Sequence, residues 1–272
     1  MELKATRFEV DGHVATLFLH RPHRHNAWTG RMHTEYRWIL AHLEQLEDVR
    51  AVVVTGTPPA FCVGGDSDAL AGHAERGSYD SGLADEPARP GGDVRPEHDA
   101  ELAFQFSLRF PIIAAVNGAC AGVGLAVALF ADLRFGAARA KCTTAAPKLG
   151  LPAEYGMSWV LPRLVGVTRA ADLLLSGRVF TPAETEPWGL WNGVADTAEG
   201  TLEMATAYAQ RLATGVGPRA LATTKRQIHT DLLRADPAAA VHDAQRLLDE
   251  AMGTAEYREG VAALRDKRPP AF

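Results

Sequence analysis

Three short apolar runs constrain this chain most: Val14–Leu19 (VATLFL), Ala51–Thr55 (AVVVT) and Ile112–Val116 (IIAAV). Each stops at a turn signal, His20-Arg21-Pro22, Gly56 with Pro58, and Asn117-Gly118. None alternates polar with apolar residues, so each reads as a strand covered on both faces. Between the first two, Met32, Tyr36, Ile39, Leu40, Leu43 and Leu46 recur at three- and four-residue spacing, which predicts an amphipathic helix over Thr29–Leu46. Strand, helix and strand in this order predict α/β layering with both sheet faces covered. From Gly200 the pattern is helical, through Leu202, Met204, Tyr208, Leu212, then Leu221, Ile228, Leu232 and Leu233. Ala240–Leu264 continues it, up to Pro269-Pro270. The expected organisation is a core over 1–199 and a helical region over 200–272.

Composition excludes several classes. The 272 residues are 47% apolar and 22% charged, too apolar for chain-wide disorder and without heptads. Lys+Arg number 28 against 33 Asp+Glu, a net charge of −5, which argues against a nucleic-acid partner. The three cysteines, Cys62, Cys120 and Cys142, form no C-x-x-C pair. That pattern speaks against a zinc ribbon or disulfide scaffold and for a reducing, cytoplasmic setting. The longest apolar run, Cys120–Ala131, is shorter than the roughly 20 residues a bilayer requires, and Met1–Val10 has no signal-peptide pattern. No membrane partner is expected. His20, His23 and His25 crowd one turn without a carboxylate or cysteine at ligand spacing, so no metal is expected. Over 72–98, Gly, Pro, Asp, Glu and Arg replace apolar residues. This segment reads as a long loop, either a disordered insertion or a substrate cover, with His73 and His98 at its ends as candidate bases.

Two glycine segments follow strands. One is Ala60-Phe61-Cys62-Val63-Gly64-Gly65-Asp66. The other is Asn117-Gly118-Ala119-Cys120-Ala121-Gly122-Val123-Gly124, which opens an apolar helical run. Glycine permits close backbone approach, and a helix start offers free N–H donors. Two such loops side by side can aim two N–H groups at one oxygen. Gly118-x-x-x-Gly122-x-Gly124 also mimics the dinucleotide turn of a dehydrogenase, but no acidic residue stands about 20 residues on and no Tyr-x-x-x-Lys exists.

These segments resemble the crotonase superfamily, the enoyl-CoA hydratase/isomerase family. Further matches are His20-Arg21-Pro22 with Arg24-His25-Asn26-Ala27, Ala131-Asp132, Gly150-Leu151-Pro152 and Leu161-Pro162-Arg163-Leu164-Val165-Gly166. Ser176-Gly177-Arg178, Ala183-Glu184, Trp188-Gly189-Leu190, Glu259-Gly260-Val261 and Lys267-Arg268 extend the match over nearly the whole chain. The resemblance implies a crotonase-like α/β spiral of ββα turns with a C-terminal helical trimerisation region, assembling as a homo-trimer or hexamer. It implies an acyl-CoA substrate and no separate cofactor. It places the oxyanion hole on the N–H groups of Val63 and Val123. Substrate contacts fall on Arg24, Ala27, Gly64, Gly65, Asp66 and Gly122, with Leu264 and Lys267 reaching a neighbouring subunit's nucleotide. Lys267 reads equally as a solvated lysine, and Asp66 and Asp132 as structural carboxylates.

The chain departs from the hydratase pattern where that pattern places its two glutamates. Those positions are Ala126 and Ala146. The remaining carboxylate is Glu154, where dienoyl-CoA isomerases of the family carry an aspartate. It is the candidate for catalytic proton transfer, or else a carboxylate placed before a helix over Tyr155–Leu161. The resulting expectation is an acyl-CoA enzyme that stabilises a thioester enolate, with double-bond isomerisation or an atypical hydration. The alternative is a non-catalytic acyl-CoA binder that kept the glycine loops and lost the acids.

Overall fold

The computed structural model describes residues 1–79, 82, 88–92 and 95–272. Nine strands run in chain order as β1 (Thr6–Asp11), β2 (Val14–Leu19), β3 (Ala51–Gly56), β4 (Ala60–Cys62), β5 (Ile112–Val116), β6 (Ala119–Ala121), β7 (Leu133–Ala137), β8 (Cys142–Thr143) and β9 (Gly193–Ala195) among these residues. The α-helices are α1 (Gly30–Glu44), α2 (Ser67–Arg76), α3 (Val123–Leu129), α4 (Met157–Val165), α5 (Val167–Ser176), α6 (Pro182–Thr185) and α7 (Ala198–Gly215). After them come α8 (Pro218–Asp231), α9 (Pro237–Met252) and α10 (Ala255–Asp266).

The large sheet has the order β1-β2-β3-β5-β7-β9, and the small one β4-β6-β8. Only β1 with β2 is antiparallel. Successive passes of the chain lay one strand in the large sheet and the next in the small one: β3 then β4, β5 then β6, β7 then β8. This is the α/β spiral expected above.

The continuous apolar runs are explained by what covers each face. Val52, Val54, Ile112, Ala114 and Val116 point into the main core with Met32, Tyr36, Ile39 and Leu40 of α1. Val53, Ile113 and Ala115, one residue out of phase, meet Ala205, Ala209 and Ala213 of α7 on the other face. A half-exposed strand would have needed polar residues at alternate positions.

Local signals set the helix ends. Thr29 caps α1 by accepting the Met32 N–H at 3.2 Å. Asp66 caps α2 by accepting the Asp68 N–H at 3.0 Å, and Gly77 closes it in a left-handed conformation. The composition shift at residue 72 therefore does not mark a loop boundary, because α2 continues to Arg76. Residues 80, 81, 83–87, 93 and 94 of the expected 72–98 loop lie outside the described residues, and Pro96–His98 forms one 3-10 turn. The expected Ala240–Leu264 helix is two helices, parted at Gly253 and restarted by the Thr254 cap.

Two carboxylates, one partly buried and one fully buried, tie distant segments together. Asp132 accepts the Ile112 N–H and pairs with Lys225 Nζ and His229 Nε2, each at 2.7 Å, which anchors α8 to β5. Burial alone would raise its pKa, but Lys225 and His229 more than offset this and hold it below the usual carboxylate range. Asp132 is thus structural. Glu35 of α1 accepts the N–H groups of Lys4, Ala5 and Thr6, the Thr6 hydroxyl and Arg31 Nε, at 2.6–2.9 Å. Burial opposes its ionisation, and these donors outweigh burial, so its pKa is lowered. Glu35→Gln is expected to cost about 1.5–3 kcal/mol at pH 7, measured by urea unfolding. The contribution is full above the unfolded value near 4.5 and is lost as pH falls through the lower folded value. Wild type and variant should therefore converge in acid.

Candidate active site

The small sheet places the two glycine loops together. β4 and β6 pair in parallel, with Ala60 opposite Ala119 and Cys62 opposite Cys120, so the segments leaving their ends run side by side. Gly64 has φ +99° and Gly122 φ +50°, conformations that favour glycine. A Cβ on Gly64 would stand 3.3 Å from the Ala121 carbonyl oxygen, and one on Gly122 3.8 Å from Gly64 Cα. Val123 is the first residue of α3, so its N–H has no intrahelical acceptor. Neither it nor the Val63 N–H meets a protein acceptor among the described residues. The Val123 side chain is buried, and Val63 is 38% exposed.

Gly124 brings α3 against β4. A Cβ there would lie 2.9 Å from Cys62 Sγ and closer still to the Cys62 carbonyl oxygen. Backbone cannot give way as a flexible side chain does. Gly124→Ala should therefore cost about 1–3 kcal/mol and part the two loops. A thermal melt and a turnover assay would both fall.

The segment before α1 is fastened to the first glycine loop. His25 and Asn26 are left-handed, and the buried Asn26 side chain accepts the Arg21 N–H at 2.9 Å and donates to the Thr57 and Ala60 carbonyls at 2.8 and 2.7 Å. Trp28 donates its N–H to the Gly64 carbonyl at 2.8 Å and accepts from the Asp66 N–H at 2.9 Å. Its ring packs on His33 and Tyr36 in the core. The Asp66 carboxylate takes Arg21 Nη1 at 2.8 Å and Arg24 Nη2 at 3.1 Å. Burial opposes its charge, but Arg21, the Asp68 N–H and Arg24 win, and its pKa is lowered. Ala27 is buried, and its carbonyl accepts Arg21 Nη1 at 2.7 Å. Thus Arg24, Ala27, Gly64, Gly65, Asp66 and Gly122 all lie on the segments joined at the paired loops, with Ala27, Gly64, Asp66 and Gly122 buried, Arg24 half-buried and Gly65 exposed. Leu264 is 80% exposed near the end of α10 and Lys267 caps that helix. Neither side chain has a hydrogen-bond or ion-pair partner among the described residues.

A family model described as enoyl-CoA hydratase/isomerase matches residues 9–272. The chain belongs to that family. It is 33% identical over 268 residues to the 1,2-epoxyphenylacetyl-CoA isomerase of Escherichia coli (strain K12), covering 97% of this chain and 96% of the relative. It is 34% identical over 276 residues to a protein of Rhodobacter capsulatus named "Probable enoyl-CoA hydratase", covering 100% and 99%. A solved enoyl-CoA hydratase from Bacillus anthracis superposes with a TM-score of 0.85 at 25% identity, covering 99% of each chain. The dinucleotide-turn alternative for Gly118–Gly124 gives way to this assignment. The chain is an enzyme of the hydratase/isomerase family, and an acyl-CoA substrate is consistent with that membership.

In this hydratase/isomerase Ala126 lies in α3 and Ala146 in a 3-10 turn over Ala146–Leu149, and both are 0% exposed. Glu154 is half-buried before α4. Tyr155 and Gly156 are left-handed, so α4 starts at Met157 rather than Tyr155, with Gly156 at its cap and no side-chain cap bond. The Glu154 carboxyl caps nothing and has no hydrogen-bond or ion-pair partner among the described residues. Burial raises its pKa. Its carboxylate is therefore a stronger base than that of an exposed glutamate.

Sequence reasoning missed the groups beside it. The Tyr79 hydroxyl donates to Glu101 Oε1 and Oε2 at 3.3 and 3.4 Å, and lies 3.4 Å from the Tyr155 hydroxyl. Tyr79 and Glu101 are 22 residues apart across the variable segment, and Tyr79 and Tyr155 are 76 apart, so no local spacing announces them. His73 sets its ring edge-on to Tyr79 at 5.4 Å. His98 turns to Ser107, Phe106 and His229 and does not join this cluster. Cys62, Cys120 and Cys142 stand in register across the small sheet, all buried. Burial pushes the Cys62 thiol up to about 12 and raises Cys120 well above its usual value, so these two stay protonated. Among the described residues no cluster of three or more His, Cys, Asp or Glu could hold a metal, and no helix is long and apolar enough to cross a membrane.

Proposed function

We propose that this enzyme moves a carbon–carbon double bond along an acyl-CoA chain through a thioester enolate. The N–H groups of Val63 and Val123 hold the thioester oxygen, and Glu154 takes up the proton. Removing a proton beside a thioester places charge on the carbonyl oxygen, and fixed backbone donors stabilise that charge. The observation that carries the reading is one partnerless, half-buried carboxyl at Glu154 where Ala126 and Ala146 present only methyl groups sealed in the core. Two-carboxylate activation of water at those positions has no acid and no base. Proton removal and return at carbon needs no pair of carboxylates at those two positions.

Arg24, Ala27, Gly64, Gly65, Asp66 and Gly122 would bound the CoA ester. Leu264 and Lys267 would reach the nucleotide held by a neighbouring subunit of a trimer, in keeping with the exposure of Leu264 and the unpaired ammonium of Lys267. Double-bond migration leaves the substrate's oxidation state unchanged, so the step asks for no redox cofactor. Incubation with 2-enoyl- and 3-enoyl-CoA thioesters, followed by mass spectrometry and chromatography, tests the reading. Double-bond isomers should dominate. A 3-hydroxyacyl-CoA as the main product would overturn it.

A further inference from the structure

Resting on that reading, we propose that Tyr155, Tyr79 and Glu101 form a second proton station, a hydroxyl chain that supplies a proton to the far carbon while Glu154 takes one from the near carbon. The chain is continuous: Glu101 carboxylate, Tyr79 hydroxyl, Tyr155 hydroxyl, with steps of 3.3–3.4 Å. These contacts are longer than an optimal O–H···O bond, as expected of catalytic contacts that close only around substrate. Tyr155 immediately follows Glu154, so the end of the chain and the first proton acceptor sit on one loop. Gly156, the next residue, packs on Phe130 at the end of α3, the helix that begins at Val123. The loop is thereby held over the helix that carries the oxyanion donor.

The electrostatics agree with this placement. Burial first, and then Glu154, Glu101 and Cys62, raise the Tyr155 phenol. Burial raises the Glu101 carboxyl too, against the Tyr79 hydrogen bond and Arg37. The relay runs with Glu101 protonated and donating to Tyr79, the reverse of the resting hydrogen bond in which Tyr79 donates, and then from Tyr79 to Tyr155. Each hydroxyl passes one proton forward and receives one from behind. The substrate loses one proton to Glu154 and gains one from Tyr155, with the electron pair of the broken C–H bond shifting through the enolate to the far carbon. Glu154 ends protonated and Glu101 ionised, and both reset with water because both are only half-buried. Tyr155 is the catalytic residue of the chain. Tyr79 and Glu101 act through it. The chain supplies the second function that Ala126 and Ala146 lack, and it lets the leaving and arriving protons be different ones.

The test uses trans-3-hexenoyl-CoA in heavy water with the full-length enzyme. Two rates are read: deuterium entry at C2 and formation of 2-hexenoyl-CoA. Glu101→Gln and Tyr79→Phe should keep C2 exchange within about threefold of wild type and lower isomerisation at least about tenfold, and Tyr155→Phe should lower isomerisation at least as far. Glu154→Gln should lose both. If the two rates fall together in Glu101→Gln and Tyr79→Phe, or if neither falls, the relay is overturned while the Glu154 reading stands. If Glu154→Gln keeps both rates, or the wild type shows neither, the underlying reading fails and the relay with it.

Discussion

Glu154→Gln should abolish turnover while leaving CoA-ester affinity nearly unchanged. The substitution preserves size and removes only the capacity to accept a proton. In this site no other carboxyl stands at the two usual positions, because Ala126 and Ala146 are sealed in the core. Positioned proton transfer contributes about 10²–10⁴ in rate, so a loss of at least that size is expected. Folding should be unaffected, since the Glu154 carboxyl supports no hydrogen bond or ion pair among the described residues. Titration with an unreactive acyl-CoA reports affinity. Raised Kd with unchanged turnover would place Glu154 in binding instead. The pH profile carries a second sign. Burial raises the Glu154 carboxyl, so kcat/KM should rise with pH through a value above the ordinary 4.5, and that limb should be absent in the variant.

Val123→Pro should lower kcat about 10²–10³-fold, which is the cost of deleting one oxyanion donor elsewhere. A side-chain change cannot normally remove a backbone N–H, but position 123 permits it. Val123 is the first residue of α3, where proline fits the helical φ and no intrahelical bond is lost. The preceding Gly122 is free of the Cβ restrictions that proline imposes on its neighbour. The melting temperature should therefore move little while kcat falls. Val123→Ala keeps the N–H and serves as the control, because the proposed reagent is backbone and not side chain. Equal losses in both variants would assign the effect to packing.

Of the large-sheet strands β2, β3 and β5 were legible because their runs are almost wholly apolar, and α7 shows why: it covers the face that would otherwise need polar residues; β1 (TRFEVD) and β7 (LRFGA) carry charged residues and gave no such run. The glycine loops were legible through the family resemblance, and the parallel pairing of β4 with β6 gives it a physical basis. Asp66 was legible only in part. Its capping of α2 is a local matter, but its pairing with Arg21 spans 45 residues. Asn26 is a similar case, since its two carbonyl partners, Thr57 and Ala60, arrive only when the spiral closes. The helix α2 was not foreseen: the composition shift at Gly72 that suggested a loop falls inside it, and its start shows only in the Asp66 cap. Glu101, Tyr79 and Tyr155 were illegible for a different reason. Each is an ordinary polar residue on its own segment, and only three-dimensional closure makes them a chain.

An enzyme that makes a thioester enolate at the paired loops, with Glu154 taking the proton, must exchange the hydrogen beside the thioester with solvent. Deuterium entry from heavy water, read by mass spectrometry, measures this. The panel holds saturated, 2-enoyl, 3-enoyl and dienoyl CoA thioesters, with wild type beside Glu154→Gln. Exchange into at least one thioester is expected of the wild type and none of the variant. Thioesters that bind and never exchange, or equal exchange by both proteins, would contradict it.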